Sequence, residues 1–280
     1  MTRRPALPEA PQQARPLREA PAPTLRSLQG VMTDIDDTLT RDGQIEPEAL
    51  QALHALHAAG LPVIAITGRP LGWSEPFARE WPLAALVAEN GAVALLREGA
   101  EVHTEYEQDA PTRAHNAQRL QAAARRILRE VPGAVLARDS AGRVTDIAID
   151  HSEFTHLPPE GVAAVVEVMQ QEGMTATVSS IHINGWFGDH NKWTGAQWML
   201  RRLFCRDLQA DLAHWAYVGD STNDQVMFER FPFSVGVANL RRFADELVHW
   251  PAWITQAERG QGFAELAQAL LQARRAAAHA

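Results

Sequence analysis

At 280 residues, 46% of them hydrophobic, the chain can form one large domain or two modest ones around a proper core. Its 26 Lys+Arg against 34 Asp+Glu leave a net charge of -8, which argues against nonspecific binding to nucleic acid or anionic membranes. A single cysteine, Cys205, excludes an internal disulfide, and no apolar run approaches the roughly 18 residues a membrane-spanning helix needs. Arg3 and Arg4 are followed by no apolar segment, so a soluble cytoplasmic protein is expected.

Met1 to Ser27 is rich in Pro, Ala and Arg and lacks apolar periodicity, which predicts a disordered or loosely attached tail. Leu28 to Thr33 reads as a buried strand that stops abruptly in three carboxylates, Asp34, Asp36 and Asp37. Such a charge cluster costs free energy unless a cation or donor compensates it. Two readings stay open for it: a catalytic carboxylate pair beside a divalent cation, or an acidic turn capping the next helix. Pro47 opens a helix to Ala59 with Leu50, Leu53 and Leu56 on one face and Gly60 as its stop. Leu61–Thr67 is a second buried strand, so strand, helix and strand form a parallel βαβ unit.

A short helix near Ser74–Glu80 and a strand Ala84–Ala88 follow, and then the pattern changes. Ala92–Leu96 and Val102–Tyr106 predict a hairpin, Pro111–Val131 a long helix, and Ala134–Arg138 with Val144–Asp150 a second hairpin. Pro158–Glu172 is a helix, and Thr175–Ser179 and Ile181–Asn184 are strands. The parallel pattern resumes with the helix Trp193–Phe204, whose setting marks Cys205 as core, and the strand His214–Val218. A helix near Asp224–Arg230, a strand Phe233–Val237, a short helix from Asn239, a strand Trp250–Ile254 and a helix Gly262–Ala276 complete the chain. The expected fold class is α/β: a doubly wound, mostly parallel Rossmann-like core of residues 28–90 and 187–280, with an α+β cap inserted over residues 91–186.

Lys192 is the only lysine in the chain. Where every other cationic residue is arginine, a lone ammonium suggests a task for a compact point charge that a planar guanidinium performs poorly. It falls in one of four stretches that carry a family resemblance. These are DIDDTLT (Asp34–Thr40), IAITGR (Ile64–Arg69), NKWTG (Asn191–Gly195) and YVGDSTND (Tyr217–Asp224). In this order they resemble the four motifs of the haloacid dehalogenase (HAD) phosphatase superfamily, and in particular its Cof-like, type IIB members, which include many sugar-phosphate phosphatases. The resemblance covers about Leu28 to Leu271.

It implies a Mg²⁺-dependent phosphomonoester hydrolase with a C2-type cap that selects the substrate. Asp34 would be the nucleophile and Asp36 the general acid and base. Asp34, Asp220 and the Asp36 backbone carbonyl would hold Mg²⁺, with Asp224 a further ligand or an organiser of its waters. Thr67, Gly68, Lys192 and Asn223 would hold the phosphate, and Thr38 would orient the acid/base loop. The family usually has glycine at position 37; aspartate tolerates unusual backbone angles better than most residues, so the turn is expected to survive.

Candidates for contacting the rest of a small phosphorylated substrate are Arg69, Glu89, Asn90, His182, Asn184 and Trp186, since amides, imidazole and an indole face suit sugar hydroxyls. The histidines show no metal-ligand spacing. Two alternatives remain beside the phosphatase: a phosphosugar mutase of the phosphomannomutase kind, and a non-catalytic phosphosugar sensor. A dehalogenase is disfavoured because that branch needs no acid at the position of Asp36.

Overall fold

The computed structural model describes residues 14–99 and 101–278. In chain order the strands are β1 (Arg15–Pro16), β2 (Gly30–Thr33), β3 (Thr40–Arg41), β4 (Gln44–Ile45), β5 (Val63–Ile66), β6 (Ala85–Ala88), β7 (Val93–Glu98) and β8 (Glu101–Tyr106). They continue with β9 (Val135–Leu136), β10 (Asp146–Asp150), β11 (Thr175–Val178), β12 (His182–Trp186), β13 (Trp215–Gly219), β14 (Phe233–Gly236) and β15 (Trp253–Ile254). The helices are α1 (Ala22–Ser27), α2 (Pro47–Ala58), α3 (Leu71–Glu80), α4 (Ala110–Glu130), α5 (Pro159–Gln171), α6 (Lys192–Phe204), α7 (Leu208–Asp211), α8 (Gln225–Arg230) and α9 (Arg259–Ala278).

Nine strands form the central sheet in the order β1-β15-β14-β13-β2-β5-β6-β7-β8. From β1 to β6 every pairing is parallel. The central strands are buried throughout, as expected when helices cover both faces. One face packs Leu53 and Leu56 of α2 with Phe263 and Leu266 of α9. The other packs Trp193 and Met199 of α6 with Leu208 and Phe228. This is the doubly wound core that the alternating pattern predicts.

The cap has a four-stranded antiparallel sheet, β11-β12-β10-β9. Its residues alternate strictly. Ile149 and Ile183 turn to a third apolar cluster with Leu120, Ile127, Val165 and Met169 of α4 and α5. Asp146, Ala148, Asp150, His182, Asn184, Trp186, Thr175 and Thr177 share the opposite face, because register pairs them across the strands. That polar face is the ceiling over the core.

Three expectations change. The hairpin of β7 and β8 belongs to the core sheet and not to the cap, pairing antiparallel with β6. The reason is local: Glu89 and Asn90 both take positive φ (48° and 56°), so the chain reverses within a turn too short for a parallel crossover. The inserted cap therefore runs from α4 to β12. The expected loose tail is docked from Arg15 onward, with β1 parallel to β15 and Leu17 and Leu25 buried, while residues 1–13 of it lie outside the described residues. Cys205 is exposed and caps α6 in the left-handed conformation.

Candidate active site

Asp34 follows β2, Thr67 follows β5, and Asp220 follows β13, so neighbouring parallel strands deliver all three to one carboxyl edge. Lys192 reaches the same point from the first turn of α6, a helix started by an Asn191–Thr194 capping box. Thus side chains from all four sequence stretches meet.

Lys192 Nζ donates to Asp34 Oδ1 at 2.6 Å and to Asp224 Oδ1 at 2.7 Å, with Asn223 Oδ1 at 3.5 Å. Its ammonium is buried, which alone would discharge it, but the carboxylates of Asp224 and Asp34 outweigh that and hold it charged. Burial pushes Asp34 up to about 8; Lys192 opposes this, while the carboxylates of Asp224 and Asp36 add to it. Asp220 is driven well above the usual carboxylate range by burial, then by Asp34 and Asp224. One ammonium does not neutralise this much buried negative charge.

Asp34, Asp220 and Asp224 place carboxylate oxygens within 4.8 Å of one another, close enough to hold one metal ion. They are not equivalent. Asp224 has both oxygens engaged: Oδ1 also accepts from Tyr217 Oη, and Oδ2 accepts from the backbone N–H of Asp220 (2.9 Å) and Ser221 (3.1 Å). Gly219 makes this possible, since a Cβ there would lie 2.4 Å from the Asp224 carboxylate. Asp220 instead keeps Oδ1 buried with no partner, and Oδ2 accepts only a long 3.3 Å bond from Asn239 Nδ2. A buried carboxylate oxygen lacking a donor is the acceptor a hard cation would satisfy. Asp224 therefore shapes the loop, and Asp34 with Asp220 offers the open oxygens.

Thr67 Oγ1 accepts from the Arg69 N–H at 3.0 Å, which leaves its own proton free to donate. Asp36 accepts from Arg69 Nε at 3.0 Å on both oxygens. Burial raises its pKa despite that charge. Thr38 is fully buried with an unpartnered hydroxyl. Asp37 takes the left-handed conformation (φ 53°) that glycine usually occupies, and Arg259 Nε neutralises it at 2.6 Å. Asn239 Nδ2 also donates to the Asp37 carbonyl at 2.9 Å.

The candidates for substrate contact fare differently. Arg69 is spent on carboxylates of core and cap alike. Glu89 is saturated by the N–H groups of Leu71, Val144 and Thr145 and by the Thr145 hydroxyl, which fastens the cap to the core. His182 Nε2 lies 2.8 Å from Glu153 Oε2. Asn184 donates to the Gly68 carbonyl (3.3 Å) and to Asp146 (3.0 Å). Trp186 Nε1 donates to the His190 carbonyl, and the two rings stack. These five have partners within the protein. Asn90 differs: it is buried and its Nδ2 has no partner. The unpartnered Thr177 hydroxyl, from the cap ceiling, lines the same cavity as Asn90, Asn223 and Lys192, a space of about 490 Å³.

Thr177, Tyr217, Asn239 and Arg259 were not legible as site residues. Tyr217 had one usable signal, as one of two tyrosines in the chain and the residue that opens the YVGD stretch.

A family model described as haloacid dehalogenase-like hydrolase matches residues 31–121. No sequence among the curated proteins matches. Among solved structures, the chain is similar to the sucrose-phosphatase of Synechocystis, determined in complex with sucrose and phosphate, at 16% identity and TM-score 0.62, covering 87% of this chain and 98% of that one. The C-terminal domain of Candida albicans trehalose-6-phosphate phosphatase aligns at 13% identity and TM-score 0.64 over 93% of this chain and 98% of its own. A HAD subclass IIB sugar phosphatase aligns at 16% identity and TM-score 0.58, over 87% and 98%. At such identities the shared property is the fold.

Proposed function

We propose that this chain, a haloacid dehalogenase-like hydrolase, is a Mg²⁺-dependent phosphatase that cleaves the phosphomonoester of a small polyhydroxylated metabolite, a sugar phosphate. The observation that carries the proposal is the buried Lys192–Asp34 contact of 2.6 Å set against Asp220, whose Oδ1 has no donor. A nucleophile, its counter-charge and an unsatisfied cation ligand meet at one strand edge.

In this reading an Asp34 carboxylate oxygen bonds to phosphorus as the ester P–O bond breaks, giving an aspartyl phosphate. Asp36 delivers a proton to the departing alkoxide, then takes one from the water that attacks the aspartyl phosphate. Lys192, the Thr67 hydroxyl and the Gly68 N–H meet the charge on the transferring oxygens. Asp34, Asp220 and the Asp36 carbonyl would hold Mg²⁺, which would supply the positive charge that lets a carboxylate approach a phosphate dianion. Asn90 and Thr177, the unpartnered pair in the cavity beside Lys192, meet hydroxyl groups of the leaving alcohol. The sugar-phosphatase names among the proteins of the same fold support the substrate class.

The test is phosphate release from a panel of sugar phosphates, other phosphometabolites and an aryl phosphate, with Mg²⁺ and with EDTA. Release that requires Mg²⁺, centres on sugar phosphates and disappears in Asp34→Asn is the expected result. No release from any compound overturns the proposal. Phosphate moved between positions of the sugar without release would make the protein a mutase.

A further inference from the structure

Arg69 is the most heavily contested cation in the described residues. It is 4% exposed and lies between core and cap. On the core side its Nε donates to both oxygens of Asp36 at 3.0 Å. On the cap side Nη2 donates to Glu153 Oε1 at 2.7 Å, and Nη1 faces Asp139 Oδ2 at 3.2 Å and Glu153 Oε2 at 3.4 Å. His182 of the ceiling backs Glu153 at 2.8 Å. The guanidinium also lies 4.7 Å above the Trp73 ring, which limits its own movement. Asp139 is shared in turn with Arg143, which donates to Asp146 and to the Gly68 carbonyl at 3.0 Å. An alternating chain of carboxylates and guanidinium groups thus starts at Asp36, crosses the interface and returns to the phosphate-binding turn.

We propose that Arg69 is a positioning residue that couples the cap to the acid/base group: with the cap seated, Glu153 and Asp139 fix the guanidinium, and the guanidinium fixes the Asp36 carboxyl. The fork geometry matters, since one planar cation serves both sides at once, which an ammonium could not do with the same directions. A general acid works only within hydrogen-bond reach of the oxygen it protonates, so a carboxyl released from its anchor loses much of its effect. Acid assistance is then complete only when the cap covers a substrate. This rests on the phosphatase reading above.

The experiment compares a sugar phosphate, whose alkoxide must be protonated to leave, with p-nitrophenyl phosphate, whose leaving group needs little help. Wild-type turnover of both tests the phosphatase reading. The ratio between them tests the coupling. Arg69→Met is expected to lower kcat on the sugar phosphate 10- to 100-fold and on p-nitrophenyl phosphate less than threefold. Glu153→Gln, which leaves Asp36 and Arg69 in place, is expected to shift the ratio in the same direction by a smaller factor. Equal losses on both substrates in either variant would mean a general structural role and overturn the proposal, as would an unchanged ratio. Hydrogen exchange gives a readout independent of turnover, and covers the case in which Arg69→Met fails to fold. Glu153→Gln should loosen protection at the Ser152–Phe154 turn and at Asp34–Leu39 across the interface. Loosening confined to the cap would overturn the coupling.

Discussion

Replacing Asp220 by Asn should make the metal-free protein more stable, although it removes a group on which the proposed chemistry depends. Asp220 is 1% exposed, has Oδ1 without a partner, and faces Asp34, Asp224 and Asp37, with Lys192 in opposition. A buried polar group left unsatisfied costs about 1–3 kcal/mol, and more when charged. Asparagine cannot ionise, so it escapes the cost of holding this group protonated as pH rises, and it places a neutral amide beside Asp34 and Asp224. The expected gain without metal is therefore about 1–3 kcal/mol. At about 2–4 °C per kcal/mol for domains of 150–250 residues, the thermal midpoint in EDTA should rise by roughly 2–12 °C.

The sign with pH follows from the direction of the shifts. A carboxyl whose folded-state pKa lies above its unfolded value near 4 destabilises the fold as it ionises. Asp220, driven well above that value, and Asp34, raised to about 8, are both of this kind. Metal-free wild type should lose stability as pH rises from about 4 toward 8, and Asp220→Asn should flatten that loss. Added Mg²⁺ should stabilise wild type, by about 2.7 kcal/mol at one hundred times its Kd, and the variant much less. Melting curves at several pH values, with EDTA and with Mg²⁺, read all of this. A variant less stable than wild type in EDTA at neutral pH would refute the reasoning.

Lys192→Met strands Asp34 and Asp224 without their shared cation and should cost about 3–5 kcal/mol in urea denaturation as well as abolishing turnover. Lys192→Arg should retain more stability but still lose most activity, because a planar fork cannot reproduce both short contacts; near-normal kcat would remove the argument from the lone lysine. Thr177→Val and Asn90→Ala should each raise KM for the sugar phosphate, by roughly 3- to 10-fold for about 1 kcal/mol of lost hydrogen bonding, while sparing p-nitrophenyl phosphate. Steady-state kinetics on both substrates checks this.

The core and the clustering of the candidate residues were legible because their signals are local. A buried strand reads as a short apolar run, and the polar residue that ends it marks a candidate, as with Asp34, Thr67 and Asp220. Parallel pairing then brings those ends together without further information. What the sequence concealed depends on distant partners. Arg69 meets Glu153 across 84 positions, and Arg259 meets Asp37 across 222, so neither pairing has a local trace. Five of the six candidates for substrate contact are engaged by other parts of the chain, which no local pattern foretells. Of the six, only Asn90 has a buried side-chain atom, Nδ2, without a partner. The hairpin of β7 and β8 was legible to within two residues at each end but assigned to the cap, since its partner is decided by two left-handed residues at Glu89 and Asn90. The two-residue strand at Arg15–Pro16 has no periodicity to detect and exists only through β15.

The central claim is that Asp34 becomes covalently phosphorylated. Asp36→Asn should slow hydrolysis of the intermediate more than its formation from p-nitrophenyl phosphate, so the intermediate should accumulate. Acid quench, reduction of the acyl phosphate with borohydride and peptide mass spectrometry then locate it. Homoserine at position 34 is the predicted result. Phosphate release from p-nitrophenyl phosphate with no modification there, or with modification at another carboxylate, would contradict it.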